Sequence, residues 1–403
     1  MRNKHTWPRE YLVHGRTVLL RTAHLIFAVV LIAAISAEKI IACSICAGYG
    51  QSLSLREQAL KSNSKVILFG VITKSSLEVD GTGKTDISVQ KNFVLPSDFK
   101  PQASISIKQY LPFDANAYNG ILLFADYSKG QLDVFRGVSI PSKEVSNYAA
   151  GALGAITLKG PALLDYYLPF LQSPSREIAT DAFLEFAKAS DSMLLEFSKK
   201  MNPALLKSWI LDPKVPEERL GLYSFLLGGC GIEADITFLL EMLKSQDSRA
   251  HAAFDGAMVA LIRLHPAQGW NALDGFLKAD NTPLQTRLSC IRSIKVANEI
   301  MQGKSDKAEI FKALNIALKQ GELADLAIEE LRKMKHWGFT QEILSIYGTK
   351  GFTAPVMKRA FLRYALTAPK DPQIEKFLAQ LETKDSQMLL EVKESLGLVP
   401  LNP

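Results

Sequence analysis

Cysteine and histidine are scarce in this chain. Its 403 residues include four cysteines and six histidines, and four cysteines are too few for a disulfide framework at this length. Cys230 and Cys290 fall within apolar helical patterns, so we expect buried thiols at both positions. Beyond residue 42 the histidines are His251, His265 and His336, each predicted on a separate helix. A metal site built from histidine is therefore not expected.

Motifs of common enzyme classes are also missing. The chain has no Gly-x-Ser-x-Gly elbow, no His-Glu-x-x-His pair and no Rossmann glycine fingerprint. Residues 81–85 (Gly-Thr-Gly-Lys-Thr) resemble the end of a phosphate-binding P-loop, but Glu78 stands where that motif requires glycine. We interpret this stretch as a hairpin turn, and we expect no catalytic residues and no cofactor.

A concentrated positive charge is absent as well. The chain carries a net charge of +6, and residues 1–42 contribute six basic and two acidic side chains, a balance of +4. The rest of the chain is left with about +2. Nucleic-acid binding requires a concentrated basic surface, so nucleic acid is not an expected partner.

The first 42 residues have the order of an export signal. Basic residues up to Arg21 precede an uncharged stretch of 16 residues, which suits a signal peptide and is short for a membrane span of about 20 residues. Residues 40–43 (Ile-Ile-Ala-Cys) resemble a bacterial lipobox, although Glu38 and Lys39 interrupt the apolar run before it. We predict that residues 1–42 are a signal peptide or a signal anchor. The protein is then exported to the periplasm or cell envelope and associates with the membrane through this segment or a lipid.

Cys43 and Cys46 follow the export signal. A haem-attachment motif requires histidine where Ala47 stands, and a thioredoxin-type site requires a βαβ setting that the pattern lacks. We expect a local disulfide, or a single structural or lipidated cysteine. A redox role for the pair is a third hypothesis.

The C-terminal part of the sequence repeats one helical motif. Six segments begin at residues 181, 220, 255, 289, 326 and 359, and each carries a small residue in second place. The small residues are spaced 39, 35, 34, 37 and 33 positions apart, and they are Ala182, Gly221, Gly256, Cys290, Ala327 and Ala360. Such a period holds two helices and two turns, and a small side chain lets the neighbouring helix approach closely. This predicts an α-solenoid over residues 151–403 that resembles HEAT-like repeats, with a non-repetitive helical bundle as the alternative.

Other patterns complete the helical prediction. Apolar stripes that begin at residues 236, 270, 310 and 374 supply the partner helices. Asp212-Pro213, His265-Pro266 and Ala368-Pro369 separate helices. Residues 228–231 (Gly-Gly-Cys-Gly) are predicted to be a helix C-terminus with glycine caps.

Between residues 65 and 140 the pattern changes to that of strands. A helix is predicted over residues 53–61, and five short strand-like runs follow, near residues 66–73, 86–94, 103–110, 118–125 and 132–138. The second and third of these runs alternate between apolar and polar residues. Five short strands with turn residues between them are typical of a small β-barrel.

The order of these features resembles a known family. A cysteine pair, then Val-Ile-Leu-Phe-Gly-Val-Ile from residue 66, Ile-Ser-Val-Gln-Lys-Asn-Phe from residue 87 and Gly-Ile-Leu-Leu-Phe-Ala from residue 120 are similar to the netrin-like domain, the OB-type barrel of tissue inhibitors of metalloproteinases. The resemblance implies an OB-like domain over residues 43–150. The family opens with Cys-x-Cys and ties those cysteines to others in the barrel, whereas this chain has Cys-x-x-Cys and no cysteine in the barrel. The family's first cysteine chelates the target's zinc with its amino group, which Cys43 matches only if cleavage follows Ala42 and no lipid is added.

The predicted class is α+β multidomain, a barrel followed by a solenoid, and two functions are considered. The first is a non-enzymatic scaffold in the cell envelope that binds a protein or peptide ligand on one solenoid face. The alternative is an inhibitor-like effector of an extracellular peptidase that acts through the Cys43 end of the barrel. Carboxylates on solvated helices serve solubility and the helix dipole more often than catalysis, and this applies to Asp181, Asp255, Asp325, Glu329 and Glu330.

Overall fold

The chain folds into an antiparallel sheet followed by an array of helices. The computed structural model describes residues 43–46, 52–61, 66–77, 81–301 and 303–399, all within one compact unit. The α+β class is confirmed. The predicted signal segment, residues 1–42, lies outside the described residues, and so do the lipobox positions before Cys43. Within the described ranges no helix is long and apolar enough to span a bilayer.

Five strands form one sheet in the order β3-β2-β1-β4-β5, and every neighbouring pair is antiparallel. The strands are β1 Val66–Leu77, β2 Gly83–Val94, β3 Ser104–Ile107, β4 Gly120–Ser128 and β5 Gln131–Ile140, and helix α1, Leu55–Lys61, precedes them. The five strands are confirmed. β1 and β2 pair as an antiparallel hairpin, but Gly83, Lys84 and Thr85 of the stretch interpreted as its turn belong to β2. Among the described residues strand pairing ends at β3 and at β5, so the sheet is open.

The two faces of the sheet have different partners, because successive side chains of a strand point to opposite faces. Phe69 and Leu122 lie on the face that shares one apolar core with the helices. Leu68 and Leu123 lie on the opposite face, which encloses a second, smaller core together with Phe99. The sheet is therefore attached to the helical array along one face and curves around its own core on the other.

Several helices begin with proline in the first turn. Pro161, Pro203, Pro266, Pro355 and Pro372 stand at first-turn positions of their helices, where proline costs no hydrogen bond. The helices are α2 Lys143–Gly154, α3 Pro161–Tyr167, α4 Arg176–Ala187, α5 Asp191–Ser198, α6 Pro203–Leu211, α7 Leu220–Cys230, α8 Ile236–Lys244, α9 Ser248–Leu264, α10 Pro266–Lys278, α11 Leu284–Ile300, α12 Lys304–Leu318, α13 Ala324–Lys333, α14 Thr340–Ile346, α15 Pro355–Thr367, α16 Pro372–Lys384 and α17 Ser386–Ser395.

Alternate helices pack side by side in a row. Helix α7 contacts α9, α9 contacts α11, α11 contacts α13 and α13 contacts α15, while α8, α10 and α12 lie against them as a second layer. The six predicted segments fall in α4, α7, α9, α11, α13 and α15, and their small residues are all buried. This arrangement is consistent with a helical repeat region.

Two of the small residues bring helix backbones into direct contact. A Cβ atom added to Gly256 of α9 would lie 1.9 Å from the carbonyl oxygen of Gly221 of α7. No real side chain fits at that distance, so α7 and α9 can approach this closely only because residue 256 has no side chain. The close approach predicted from the small residues is confirmed for this pair.

Two of the glycines near the end of α7, Gly228 and Gly229, are required by helix packing. A Cβ atom on Gly228 would come 2.7 Å from Ala260 Cα of α9, and one on Gly229 would overlap the Ser198 side chain of α5. Gly231 holds the cap position with φ −63°, outside the left-handed conformation of glycine caps. The predicted helix end with a glycine at its cap is confirmed for Gly231. Gly228 and Gly229 lie within the helix instead, because the helices packed against α7 leave no room for a side chain there.

Candidate functional site

Cys43 and Cys46 lie inside the helical array. Each is only 6% exposed, and the two sulfurs form a disulfide. The Cys46 N–H donates to the Cys43 carbonyl, which closes a single turn. Both residues belong to the apolar core that the helices share with the sheet. Lipidation of Cys43 stays a prediction, since the preceding residues are outside the described chain.

The turn at residues 43–46, here called the docked turn, is held by polar groups of three helices. The Cys43 N–H donates to the carbonyl of Ala187 at the end of α4 (3.1 Å). The Ser44 N–H donates to Asp191 Oδ1 at the start of α5 (3.0 Å), and the Ser44 hydroxyl donates to Glu299 Oε2 of α11 (3.2 Å). Helical side chains and a helix end thus satisfy backbone and side-chain donors of this turn.

The docked turn and α5 together enclose one end of the helix row. Ile45 lies over Gly221 of α7, where an added Cβ would come 3.0 Å from Ile45 Cγ2. Helix α5 packs against both α7 and α11. With α6 and α9 also packed against it, every residue from 220 to 228 of α7 is buried, so these residues offer no surface for a ligand.

A second attachment lies just after the docked turn, where the chain enters α1. Asp181 of α4 accepts hydrogen bonds from the Leu55 N–H and from the Tyr148 hydroxyl, both at 2.7 Å. Glu185, one turn further along α4, forms an ion pair with Arg56 at 3.0 Å, and its side chain is 1% exposed. Two buried carboxylates of α4 therefore hold the N-terminal end of α1.

Burial shifts the titration of these carboxylates. It raises the pKa of Asp181 to about 6, although the donors Tyr148 and Leu55 act in the opposite direction. Burial likewise raises the pKa of Asp191, against the hydrogen bonds from Ser44. A buried carboxylate is costly unless donors reach it. The N-terminal segment supplies those donors, so the array and the segment stabilise each other.

The acidic residues considered from the sequence do not form one site. Asp181 receives the N-terminal segment, whereas Asp255 pairs with Arg292 of the next row helix. Glu329 pairs with Arg363 of α15. The remaining two are on α13, where Glu330 pairs with Lys333 at 2.7 Å and Asp325 is half-buried in the first turn. Most of these carboxylates join neighbouring helices.

The histidines do not occupy three separate helices. His251 is in α9, but His265 lies between α9 and α10, where its Nδ1 accepts from the Gln268 N–H (3.3 Å). His336 follows α13 and stacks on Phe311. The prediction is wrong for these two because proline after His265 and a turn after α13 end the helices earlier. In the part of the chain that the structure describes, no group of potential ligand side chains is arranged to hold a metal ion.

The other end of the row keeps an exposed stripe. Val356, Arg359 and Arg363 lie three and four residues apart on α15 and so share one side of it. Arg363 pairs with Glu329 of α13, and Arg359 pairs with Glu391 of α17 (3.2 Å). Val356 is 57% exposed, and Leu326, one turn before Glu329, is 37% exposed. We call this surface the terminal patch, formed by Leu326, Glu329, Val356, Arg359, Arg363 and Glu391.

The chain matches no protein-family model, no curated protein and no solved structure. Sequence reasoning missed the carboxylates that receive the N-terminal segment, Glu185, Asp191 and Glu299. No local signal could have identified them, because Ser44 and Glu299 are 255 positions apart. The function is therefore argued from the geometry of this chain alone.

Proposed function

We propose that the protein is a non-enzymatic scaffold, exported to the cell envelope, that holds a protein or peptide ligand on the terminal patch. The carrying observation is that Val356 of α15 and Leu326 of α13 are exposed on helices whose partly exposed arginines, Arg359 and Arg363, pair with Glu391 of α17 and Glu329 of α13. Exposed aliphatic side chains beside arginines provide the apolar contact and the multiple donors that protein interfaces use. A helix row builds such a surface without requiring catalytic groups.

The docked turn supports the same proposal. It is a short turn that the helical array receives through Asp191, Glu299 and the carbonyl of Ala187. The array therefore already combines side-chain and main-chain groups to hold a piece of chain. The enclosed end of the row serves the chain's own segment, which leaves the terminal patch for another molecule.

The proposal also includes the identity of the two domains and the compartment of the protein. The strand order β3-β2-β1-β4-β5 is that of a five-stranded OB barrel opened between β3 and β5, which supports the netrin-like resemblance over residues 43–150. The helix pairs support a HEAT-like solenoid over residues 151–403. The disulfide between Cys43 and Cys46 fits an oxidising compartment outside the cytoplasm, in line with the export signal.

The inhibitor-like alternative has less support from the geometry. It requires the amino group of Cys43 to reach a metal in a target peptidase. The Cys43 nitrogen instead donates to Ala187 within the array, and the residue is 6% exposed. We therefore place the ligand site on the helices and not at the Cys43 end of the barrel.

Site-specific photo-crosslinking in the native host tests the proposal. A photoreactive side chain replaces Val356 of the terminal patch or, as the control, Ile232, a β-branched residue of similar exposure (57% and 61%) between α7 and α8. We expect a discrete protein adduct in the envelope fraction from position 356 and none from position 232. Adding Arg359→Glu should remove the adduct, because the arginine is part of the same surface. Equal adducts from both positions, or none from position 356, would contradict the proposal.

A further inference from the structure

The open sheet has a groove where its two edge strands face each other. Residues of β3 and of the β4–β5 hairpin line the two walls of a cavity of about 620 Å³, a volume within the range of ligand sites. Among the residues that the structure describes, β3 pairs with β2 alone and β5 with β4 alone. This site is separate from the terminal patch and does not depend on the function proposed for it.

The register shows which backbone groups of β3 face the groove. In an antiparallel ladder, residues alternate between pairs that exchange hydrogen bonds and pairs that do not. The Val89 N–H donates to the carbonyl of Ala103, so the bonded positions of β3 are Ile105 and Ile107. The N–H and C=O groups of Ser106, which is opposite Asp86, therefore point away from β2 and into the groove.

The same argument applies to the opposite wall. β4 and β5 are joined by a two-residue turn in which Lys129 and Gly130 have φ of 52° and 75°, the conformation of a type I′ hairpin. The closing pair of such a hairpin is hydrogen-bonded, so the backbone groups of Leu132 and Val134, at alternate positions, point away from β4. Both walls thus offer main-chain donors and acceptors at a two-residue spacing.

The strand directions favour insertion over closure. Because every pairing from β3 through β2, β1 and β4 to β5 is antiparallel, β3 and β5 run in the same direction. Direct closure of the barrel would require a parallel pair, which is slightly less stable per residue. A strand inserted between them can be antiparallel to both and continue the ladder on each side.

The side chains around the groove indicate the chemistry of this strand. Ile105 and Ile107 form an apolar floor with the partly buried Leu132 and Val134. Lys108 and Asp133 balance each other in charge, and the other polar lining residues are uncharged, namely Gln102, Ser106, Gln109, Ser128 and Gln131. A neutral groove of this kind suits a peptide backbone and does not suit a polyanion.

We propose that the groove between β3 and β5 binds an extended peptide segment of a partner protein, which pairs antiparallel with both edge strands and places alternate aliphatic side chains on Ile105 and Ile107. Recognition comes from the main chain, with side-chain selection at every second residue, as in other cases of strand addition. The segment matches β3 in length, about four residues.

Peptide binding to the full-length oxidised protein tests this site. The probe is a labelled, capped hexapeptide, Thr-Val-Thr-Val-Thr-Val, with fluorescence anisotropy as the readout. A second probe has the same side chains but N-methyl groups on alternate amides, which remove donors from one edge of the strand. We expect the methylated probe to bind at least about tenfold more weakly, a loss that two main-chain hydrogen bonds account for.

Two variants at one position isolate the β3 wall. Ser106→Ala and Ser106→Pro both remove the hydroxyl that donates to Asp86, but only proline removes the N–H that faces the groove, and edge strands tolerate proline. We expect Ser106→Ala to bind the probe like the wild type and Ser106→Pro to bind about tenfold more weakly. The proposal would be overturned if the wild type bound no peptide, bound both peptides equally, or preferred a labelled oligothymidylate. If Ser106→Pro does not fold, the comparison of the two peptides still decides.

Discussion

The contact between Gly221 and Gly256 makes a specific prediction for stability. In Gly256→Ala the new Cβ would lie 1.9 Å from the Gly221 carbonyl oxygen and 3.0 Å from the Phe225 nitrogen. Both are backbone atoms, so α7 and α9 must separate by about 1 Å. Forcing atoms into a packed core costs about 1–3 kcal/mol. Against this, alanine is more favourable than glycine in a helix by about 1 kcal/mol.

Gly275→Ala is the matched control, because Gly275 lies within α10 and has no atom within 4 Å of an added Cβ. The propensity gain is common to both variants, so the difference between their free energies of unfolding reports the packing cost alone. Urea unfolding followed by far-UV circular dichroism measures it. We expect Gly275→Ala to be more stable than Gly256→Ala by about 1–3 kcal/mol. Equal stability of the two variants would refute the close backbone contact and, with it, the row of helices.

Three further predictions concern the N-terminal attachment. Glu185→Ala leaves Arg56 without its buried partner and should lower the free energy of unfolding by about 3–5 kcal/mol. Glu196→Ala, at an exposed ion pair, should change it by less than about 0.5 kcal/mol. Similar losses in the two variants would contradict the buried pair. Burial in the folded protein raises the pKa of Asp181 to about 6, so the folded protein holds the proton of this carboxyl more tightly than the unfolded chain does. The free energy of unfolding should therefore fall as the pH rises from about 4 to about 6. Asp181→Asn should flatten that part of a pH–stability profile, and an unchanged profile would contradict the assignment. Cys46→Ser removes the disulfide and should cost about 2 kcal/mol in thermal or urea unfolding, while a variant as stable as the oxidised wild type would show that the docked turn holds without it.

Local patterns predicted much of the fold. Apolar runs, two of them alternating, identified all five strands, and five of the six small residues identified the helices that form the row, because both signals arise within one element. Gly228 and Gly229 were misinterpreted for the same reason. Within the sequence they look like caps, but the groups that require them, Ala260 of α9 and Ser198 of α5, belong to other helices.

The candidate site was much less predictable. Cys43 and Cys46 were recognised as a pair, but nothing near them indicates that they are buried against α4, α5 and α7. The contacts of the N-terminal segment join positions more than 100 residues apart, such as Leu55 with Asp181. Asp181 was interpreted as a solvated carboxylate, because its position on a helix shows neither its burial nor its donors.

The proposed function depends most on the docked turn, because this turn covers one end of the helix row and leaves the terminal patch for a ligand. Residue-resolved hydrogen exchange of the full-length oxidised protein measures this directly at the Ser44 and Leu55 amides, which donate to Asp191 and Asp181. We predict that both amides are protected to the level of the buried row helix α9. Exchange of both amides at the rate of an unstructured chain would contradict the docking, and a ligand could then bind at that end of the row instead.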